Sequence, residues 1–314
     1  MPVEREMPGL MDRLPAVRGR LHADEPLARF TWFKVGGPAE VLFRPADEDD
    51  LASFLGALPA DVAVTVIGNA SNLLIRDGGI RGVVIRLGRA FSQVEVEGTR
   101  VEAGAGAAGL VVARAARDGG VGGLEFLAGI PGTIGGAVRM NAGAYERETK
   151  DVCRSARFID RGGQYHELAG AQMGFEYRHS AIDGDWIAVS AAFEGRPEDP
   201  AVIGERMDDI QRQRDETQPV RTPTGGSTFR NPPGHKAWEL IDQAGCRGLL
   251  HGGAQVSDLH CNFLVNTGTA SAADLEGLGE EVRRRVFDKC GITLEWEIRR
   301  IGEVAGRQMR EAER

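Results

Sequence analysis

Gly225-Gly226-Ser227-Thr228-Phe229-Arg230-Asn231-Pro232 sets a serine behind two glycines and ahead of an aromatic, a base and an amide. Glycine lets a backbone pass close to a ligand, so the hydroxyl could serve as nucleophile, phosphate ligand, proton donor or turn residue. A serine nucleophile needs a histidine base and an orienting acid, and this run lacks the Gly-x-Ser-x-Gly elbow. Both points argue against a hydrolase. Two further stretches carry charge of use to a reaction. Arg178 stands between Tyr177 and His179 and, read alone, is an ordinary surface arginine. In Leu294–Gly302 strand alternation puts Glu295, Glu297 and Arg299 on one face and Trp296 and Ile298 on the other. A solvated strand face is the plain alternative there.

Two glycine-rich segments point to a large ligand. In Ile67–Ile75 an apolar run ends at Ile67 and Gly68, Asn69, Ala70, Ser71 and Asn72 follow. Successive N–H groups in such a turn form a nest for phosphate oxygens, although a simple strand-to-strand turn has the same chemistry. The second, Glu125–Tyr145, holds Gly129, Gly132, Gly135, Gly136 and Gly143, with Pro131 stiffening the path. It reads as too glycine-rich for a helix and too apolar for a solvated linker. A backbone threaded along a flat ligand needs such a composition. Together the two favour a dinucleotide-type cofactor. Gly104-Ala105-Gly106-Ala107-Ala108-Gly109 matches Gly-x-Gly-x-x-Gly, but the strand and acidic residue that a Rossmann unit needs downstream are missing from Gly122–Phe126.

The elements that must carry these residues divide near residue 200. The chain has 314 residues, 42% of them hydrophobic, and a formal charge of −8. That length allows two or three domains, and the acidic balance argues against a general nucleic-acid binder. Cys153, Cys246, Cys261 and Cys290 are scattered without zinc-type spacing, so no metal site is expected. The first fifteen residues carry charges throughout and contain no apolar h-region, and no run is long enough to span a membrane; a cytoplasmic protein is expected. Residues 1–30 read as a short helical lead-in. Strands are expected at 40–43, 62–67, 82–87, 94–96, 101–103 and 187–193, with helices at 47–56 and 110–118, an α+β rather than a βαβ pattern. After a Pro197–Pro200 linker come helices at 201–216, 237–244 and 272–290, and strands at 262–265 and 293–301. Leu275, Leu278, Val282, Val286 and Cys290 fall at three- and four-residue steps, so one face of the long helix should be buried.

In this order, TWFKVGGPAE (31–40), IGNASNLLIRDGGIRGVVI (67–85), GLEFLAGIPGTIGGAVRMNAGAY (123–145), YRHS (177–180), GGSTFRNP (225–232), LIDQAGCRGLLHGGAQVSDLHCNFLVN (240–266) and LEWEIRRIGE (294–303) resemble the UDP-N-acetylenolpyruvoylglucosamine reductase family. The resemblance covers about residues 30–303. It implies an FAD-binding domain of the vanillyl-alcohol-oxidase type at 31–200, in lobes of about 31–90 and 91–200. A small α+β substrate-binding domain would follow at 201–303, with a tail at 304–314. It further implies non-covalent FAD, NADPH as co-substrate, and reduction of an enolpyruvyl ether: hydride to C3, proton to C2. With only about 30 residues between the 187–193 strand and the serine motif, the chain resembles the family's shorter branch, which lacks an inserted tyrosine loop. The catalytic set would be Arg178 on the substrate carboxylate, Ser227 as proton donor and Glu297 as an acid, Glu295 being the runner-up. Cofactor contacts would come from Gly36, Gly37, Gly68, Asn69, Ala70, Ser71, Asn72, Gly129, Pro131, Gly132, Thr133, Gly135, Gly136 and Arg299. Tyr177, Arg230, Asn231, His260 and Asn262 would contact the UDP-sugar, although Leu259 and Cys261 depart from the family's pattern. Arg212 and Arg214 are phosphate contacts or, more simply, a solvated face. A monomer is favoured, with no nucleic-acid partner and no membrane insertion. The alternatives are an FAD oxidase acting on an alcohol or sugar, and a catalytically silent nucleotide-sugar-binding protein.

Overall fold

The computed structural model describes residues 9–306; the outermost parts of the expected lead-in and tail fall outside that range. After one helical turn, α1 (Leu10–Arg13), the chain forms β1 (Arg20–Pro26), β2 (Pro38–Arg44), α2 (Glu48–Ala57), β3 (Val64–Ile67), β4 (Leu73–Ile75) and β5 (Ile80–Arg86). A four-stranded sheet runs β1-β2-β5-β3, antiparallel at β1/β2 and parallel at the other two pairings. Alternation in β2 and β5 turns Val41, Phe43, Val83 and Ile85 onto Leu51, Phe54 and Leu55 of α2. The lead-in expected to be helical therefore contributes a strand, because Arg20–Pro26 finds an open edge on β2. Propensity alone could not reveal that edge.

The second lobe contains β6 (Val94–Glu97), β7 (Arg100–Gly104), α3 (Gly109–Asp118), the two-residue β8 (Val121–Gly122), α4 (Ile134–Met140), the small hairpin β9 (Gly143–Ala144) and β10 (Arg147–Glu148), β11 (Cys153–Ile159), β12 (Tyr165–Ala169), β13 (Ile187–Glu194) and β14 (Arg196–Pro197). Its sheet is antiparallel throughout, in the order β12-β11-β13-β7-β6. The Gly104–Gly109 turn thus leaves an antiparallel strand, and no Rossmann unit forms. Strands β11 and β12 carry Arg154 and Glu167 on exposed positions and Arg157 on a half-buried one, which hides them from a reading by hydrophobic runs.

Two expectations need correction here. Glu125–Tyr145, read as too glycine-rich for a helix, holds a 3-10 turn at Glu125–Gly129 and the seven-residue α4. Packing outweighs propensity there, since a Cβ on Gly135 would come within 3.1 Å of Ala105 Cβ. Helix α5 (Pro200–Thr217) starts on an Asp199 cap, but its Ile203 and Met207 join the core of the second lobe beside Phe126 and Leu127. The composition shift near 200 accordingly falls one helix too early.

The remaining chain forms β15 (Thr224–Ser227), α6 (Ala237–Gln243), β16 (Leu250–His251), β17 (Ala254–Val256), β18 (Phe263–Asn266), α7 (Ala272–Cys290) and β19 (Arg299–Ile301). A β15-β18-β17-β16 sheet packs on α7, whose Leu275, Leu278, Val282 and Val286 are fully buried. Each such side chain contributes about 1.5–3 kcal/mol. Ser271 and Asp274 close a capping box at the start of α7, and Gly291, at φ 68°, ends it. The expected closing strand 293–301 forms a ladder only at β19, which leaves its own sheet and pairs in parallel with β4, Arg299 opposite Leu73. Among the described residues no helix is long and apolar enough to cross a membrane.

Candidate active site

The two glycine-rich segments meet. Ser71 Oγ donates to Pro131 O at 3.1 Å, and a Cβ on Gly68 would lie 2.4 Å from Thr133 Oγ1. Ala70 takes a left-handed φ of 49° and Gly132 a φ of 120°. These conformations turn the two backbones toward a common space. That space is a cleft of about 940 Å³. It is walled by the edge of β3, the 68–72 turn, the 129–136 segment and the start of β13. Gly68, Asn69, Ala70, Ser71, Asn72, Gly129, Pro131, Gly132, Thr133, Gly135, Gly136 and Arg299 all line it. Gly36 and Gly37 do not. A Cβ on Gly36 would meet Ile75 at 2.9 Å and one on Gly37 would meet Asp77 O at 2.3 Å, so they serve packing inside the first lobe.

The serine run closes the cleft's far end. Between Thr224 and Ser227 the pairing with β18 slips. Gly226 is at φ 77°, and a Cβ on Gly225 would strike the Phe33 ring at 2.2 Å. This bulge re-aims Ser227 into the cleft. The following residues pair with the chain's last segment: Glu297 N donates to Thr228 O at 2.8 Å and Arg230 N to Glu295 O at 2.9 Å. That pairing sets Glu297 beside Ser227 along the cleft wall. Asn72 Nδ2 donates to Glu297 O at 3.0 Å, so the 68–72 turn and the glutamate are held by one hydrogen bond.

Arg178 arrives from the second lobe on a tight turn, with φ 55° and a Glu176–His179 bridge. A non-glycine residue held there stores strain. Buried Asn141 supports it by donating to Glu176 O at 3.0 Å. Arg178 Nε donates to Glu297 Oε1 at 2.9 Å and its NH2 group to Gly143 O at 3.1 Å. Burial pushes the Glu297 carboxyl above its ordinary value, while Arg178 and Arg230 pull against that rise. Glu295 is exposed, so of the two alternating carboxylates Glu297 faces the site. Arg178, Glu297 and Ser227 share the cleft wall.

Other expected contacts separate. Tyr177 is half exposed and stacks on Arg178, 5.0 Å from ring centre to guanidinium carbon. Arg230 lines a second cavity of about 520 Å³ that shares Arg178, Glu297 and Arg299 with the cleft. Asn231, His260 and Asn262 line neither space. Asn231 Oδ1 accepts from Ala237 N and caps the approach to α6. Asn262 is buried behind the serine run, its Oδ1 accepting from Phe229 N at 2.9 Å and its Nδ2 donating to Phe229 O at 2.8 Å. His260 packs edge-on against Phe263, and burial lowers its pKa. Arg212 lies on a solvated face, paired with Asp209, and Arg214 is half-buried near Tyr145.

The sequence reading missed Ala105, Gly106, Arg86, Arg139 and Trp186, all on the cleft wall. The set-aside Gly104–Gly109 motif held two of them, for a reason unrelated to Rossmann chemistry: the turn after β7 forms part of the wall. Arg139 donates to Ile182 O at 3.2 Å and Asp183 O at 2.6 Å, tying α4 to the loop before β13. Nothing local marked it.

An elongated cleft between two β-lobes, cradled by facing glycine turns and ended by a separate small domain, defines a dinucleotide-binding α+β protein. Residues 39–169 match the FAD binding domain, and FAD is the cofactor. Residues 218–301 match the UDP-N-acetylenolpyruvoylglucosamine reductase, C-terminal domain. The chain is 62% identical over 293 residues to UDP-N-acetylenolpyruvoylglucosamine reductase of Parvibaculum lavamentivorans, covering 93% of this chain and 94% of the relative. It is 60% identical to the protein of that name from Paramagnetospirillum magneticum, over 93% and 95%. The crystal structure of UDP-N-acetylenolpyruvylglucosamine reductase from Thermus caldophilus superposes with a TM-score of 0.78 at 33% identity, covering 91% of this chain and 99% of that one. The chain belongs to the UDP-N-acetylenolpyruvoylglucosamine reductase family.

Proposed function

We propose that this chain reduces the enolpyruvyl ether of UDP-N-acetylenolpyruvoylglucosamine to the lactyl ether of UDP-N-acetylmuramate, in the cytoplasm, with NADPH as the source of the hydride. The observation that carries the reading is the meeting of Arg178, Glu297 and Ser227 on one wall of the FAD cleft. The cleft's facing turns fit a dinucleotide: Gly136 has no neighbour closer than 3.8 Å where a side chain would stand, leaving its face of the cleft free. FAD, when bound, would supply hydride-transfer chemistry, with NADPH as the source and C3 of the substrate as the acceptor. The 68–72 and 129–136 turns would hold its phosphates and ring, with Arg299 alongside.

The residues then have separate tasks. Adding hydride to an acrylate-like double bond drives negative charge onto the substrate carboxylate. Arg178 would bind that carboxylate through parallel hydrogen bonds. Glu297, whose carboxyl burial pushes toward the protonated form, would donate a further hydrogen bond to it when it carries its proton. Ser227 would give its proton to C2 from a fixed side. Arg230 lines the second cavity and Tyr177 lines neither space; the two remain the proposed contacts to the UDP-sugar, with Arg230 the better supported.

The test separates the half-reactions. Ser227→Ala should leave anaerobic bleaching of the flavin by NADPH nearly unchanged and slow its reoxidation by substrate by about 10²–10⁴-fold. Equal loss in both half-reactions would make Ser227 structural and sink its assignment as proton donor. Reoxidation of wild type faster by oxygen than by the enolpyruvyl substrate would favour the oxidase alternative.

A further inference from the structure

Several arginines line the cleft, and among the described residues Arg86 has no acidic partner and an Nε left without a hydrogen bond. Arg86 is the last residue of β5, and the parallel register sets it opposite Ile67, the residue that opens the 68–72 turn. The turn therefore runs from Arg86 at one end to Glu297, held by Asn72, at the other. The guanidinium of Arg86 is half-buried in the cleft wall and stacks over the Phe30 ring, 4.7 Å from its centre. Its Nε is buried without a hydrogen-bond partner. The charge bearing on it is that of Arg44, at the end of β2. Burial and Arg44 both disfavour its charge, and no acidic partner offsets them among the described residues.

A half-buried guanidinium held by an aromatic face and left unpaired is destabilising on its own. An anion at the C-terminal ends of β2, β5 and β3 removes that penalty. The N–H groups of the 68–72 turn already favour a phosphate at that place.

We propose that Arg86 is the counter-charge for the diphosphate of the dinucleotide bound in the cleft, donating its free Nε–H and neighbouring N–H groups to phosphate oxygens. This rests on the FAD reading above. Arg86 acts on binding and not on the hydride or proton transfers, which take place at the other end of the turn. A diphosphate could also come from the UDP-sugar, and the experiment separates the two sources.

The flavin-loaded chain is serially diluted and released FAD is read by its fluorescence for wild type, Arg86→Lys and Arg86→Met. Thermal melts of the same samples and KM for the UDP-sugar at saturating FAD accompany the titration. Arg86→Met should raise the Kd for FAD by about 10- to 100-fold, the range for a hydrogen bond to a charged group. Arg86→Lys should fall between the two, and KM for the UDP-sugar should stay within about twofold of wild type. Arg86→Gln carries the same expectation if the methionine chain does not fold. Retention of FAD by Arg86→Met within about twofold of wild type would overturn the proposal. So would unchanged retention with a raised KM, which would assign the charge to the substrate. A wild-type chain that cannot hold FAD at all would overturn the flavin reading together with this proposal.

Discussion

Glu297 is the site carboxyl whose chemistry its surroundings change. Burial pushes its carboxyl up, and the facing guanidiniums of Arg178 and Arg230 limit the rise. A folded-state pKa above the unfolded one means that the folded chain binds more protons between the two values. The associated stability is complete below the ordinary carboxyl pKa and fades as pH rises through the folded value. If the protonated acid serves the reaction, substrate-driven flavin reoxidation should fall along the same window. Glu297→Gln should flatten that limb of the rate–pH profile while retaining measurable turnover. A limb that persists unchanged would assign the titration to another group. At this scale the sequence was legible in part. Ser227 stood in a distinctive run and Glu297 in an alternating one, Arg178 was singled out by the resemblance alone, and Arg86 and Arg139 lie in unremarkable stretches. Their importance comes from what the fold puts opposite them: Ile67 for one and the 182–184 carbonyls for the other.

The serine run behaves as an element whose shape is fixed from behind. Asn262 satisfies both the N–H and the carbonyl of Phe229 in a buried setting. Replacing it with alanine leaves two buried backbone groups unpaired, each worth about 1–3 kcal/mol. Asn262→Ala should therefore lower unfolding stability by about 2–6 kcal/mol in urea melts. It should also lower kcat more than it raises KM, since the serine loses its mooring rather than its substrate contact. A large KM effect with stability intact would restore Asn262 as a substrate ligand. Strands β2, β3, β5, β7 and β13 were readable because alternation or continuous apolar runs marked them. The edge strands β1 and β12 were not, because their exposed charges mask the alternation and their existence depends on a neighbour.

Across the molecule, the first lobe and the C-terminal sheet are clamped at α7. Asp77 accepts from the free N–H groups of Ala272 and Ala273 at 2.9 Å each, and Arg76 donates to both carboxylate oxygens of Glu276. The Arg76 guanidinium holds the Glu276 carboxyl below its ordinary range. This contribution is present above the unfolded carboxyl pKa and is lost as pH falls through the depressed one. Arg76→Ala should cost about 1 kcal/mol near neutrality, about 2–4 °C in Tm. The difference from wild type should vanish in acid. A gap that persists at low pH would show that packing, not charge, is what the arginine provides. The composition shift near 200 could not reveal this arrangement, since α5 turns back to the second lobe and β19 turns back to the first.

That return of β19 has a consequence for synthesis. Arg299, Arg300 and Ile301 complete the partner strand of Leu73–Ile75, directly after the 68–72 turn, and Arg299 N donates to Asn72 O. On the ribosome the first lobe emerges more than two hundred residues before the strand that finishes it. Contacts so distant along the chain form late, so a nascent or truncated chain ending before residue 299 carries an open edge at β4 and an unfastened 68–72 turn. If the 68–72 turn holds the flavin as proposed, flavin capture reports that translation has passed residue 301, and chains ending before it would be colourless, distinguishable from longer ones by absorbance alone.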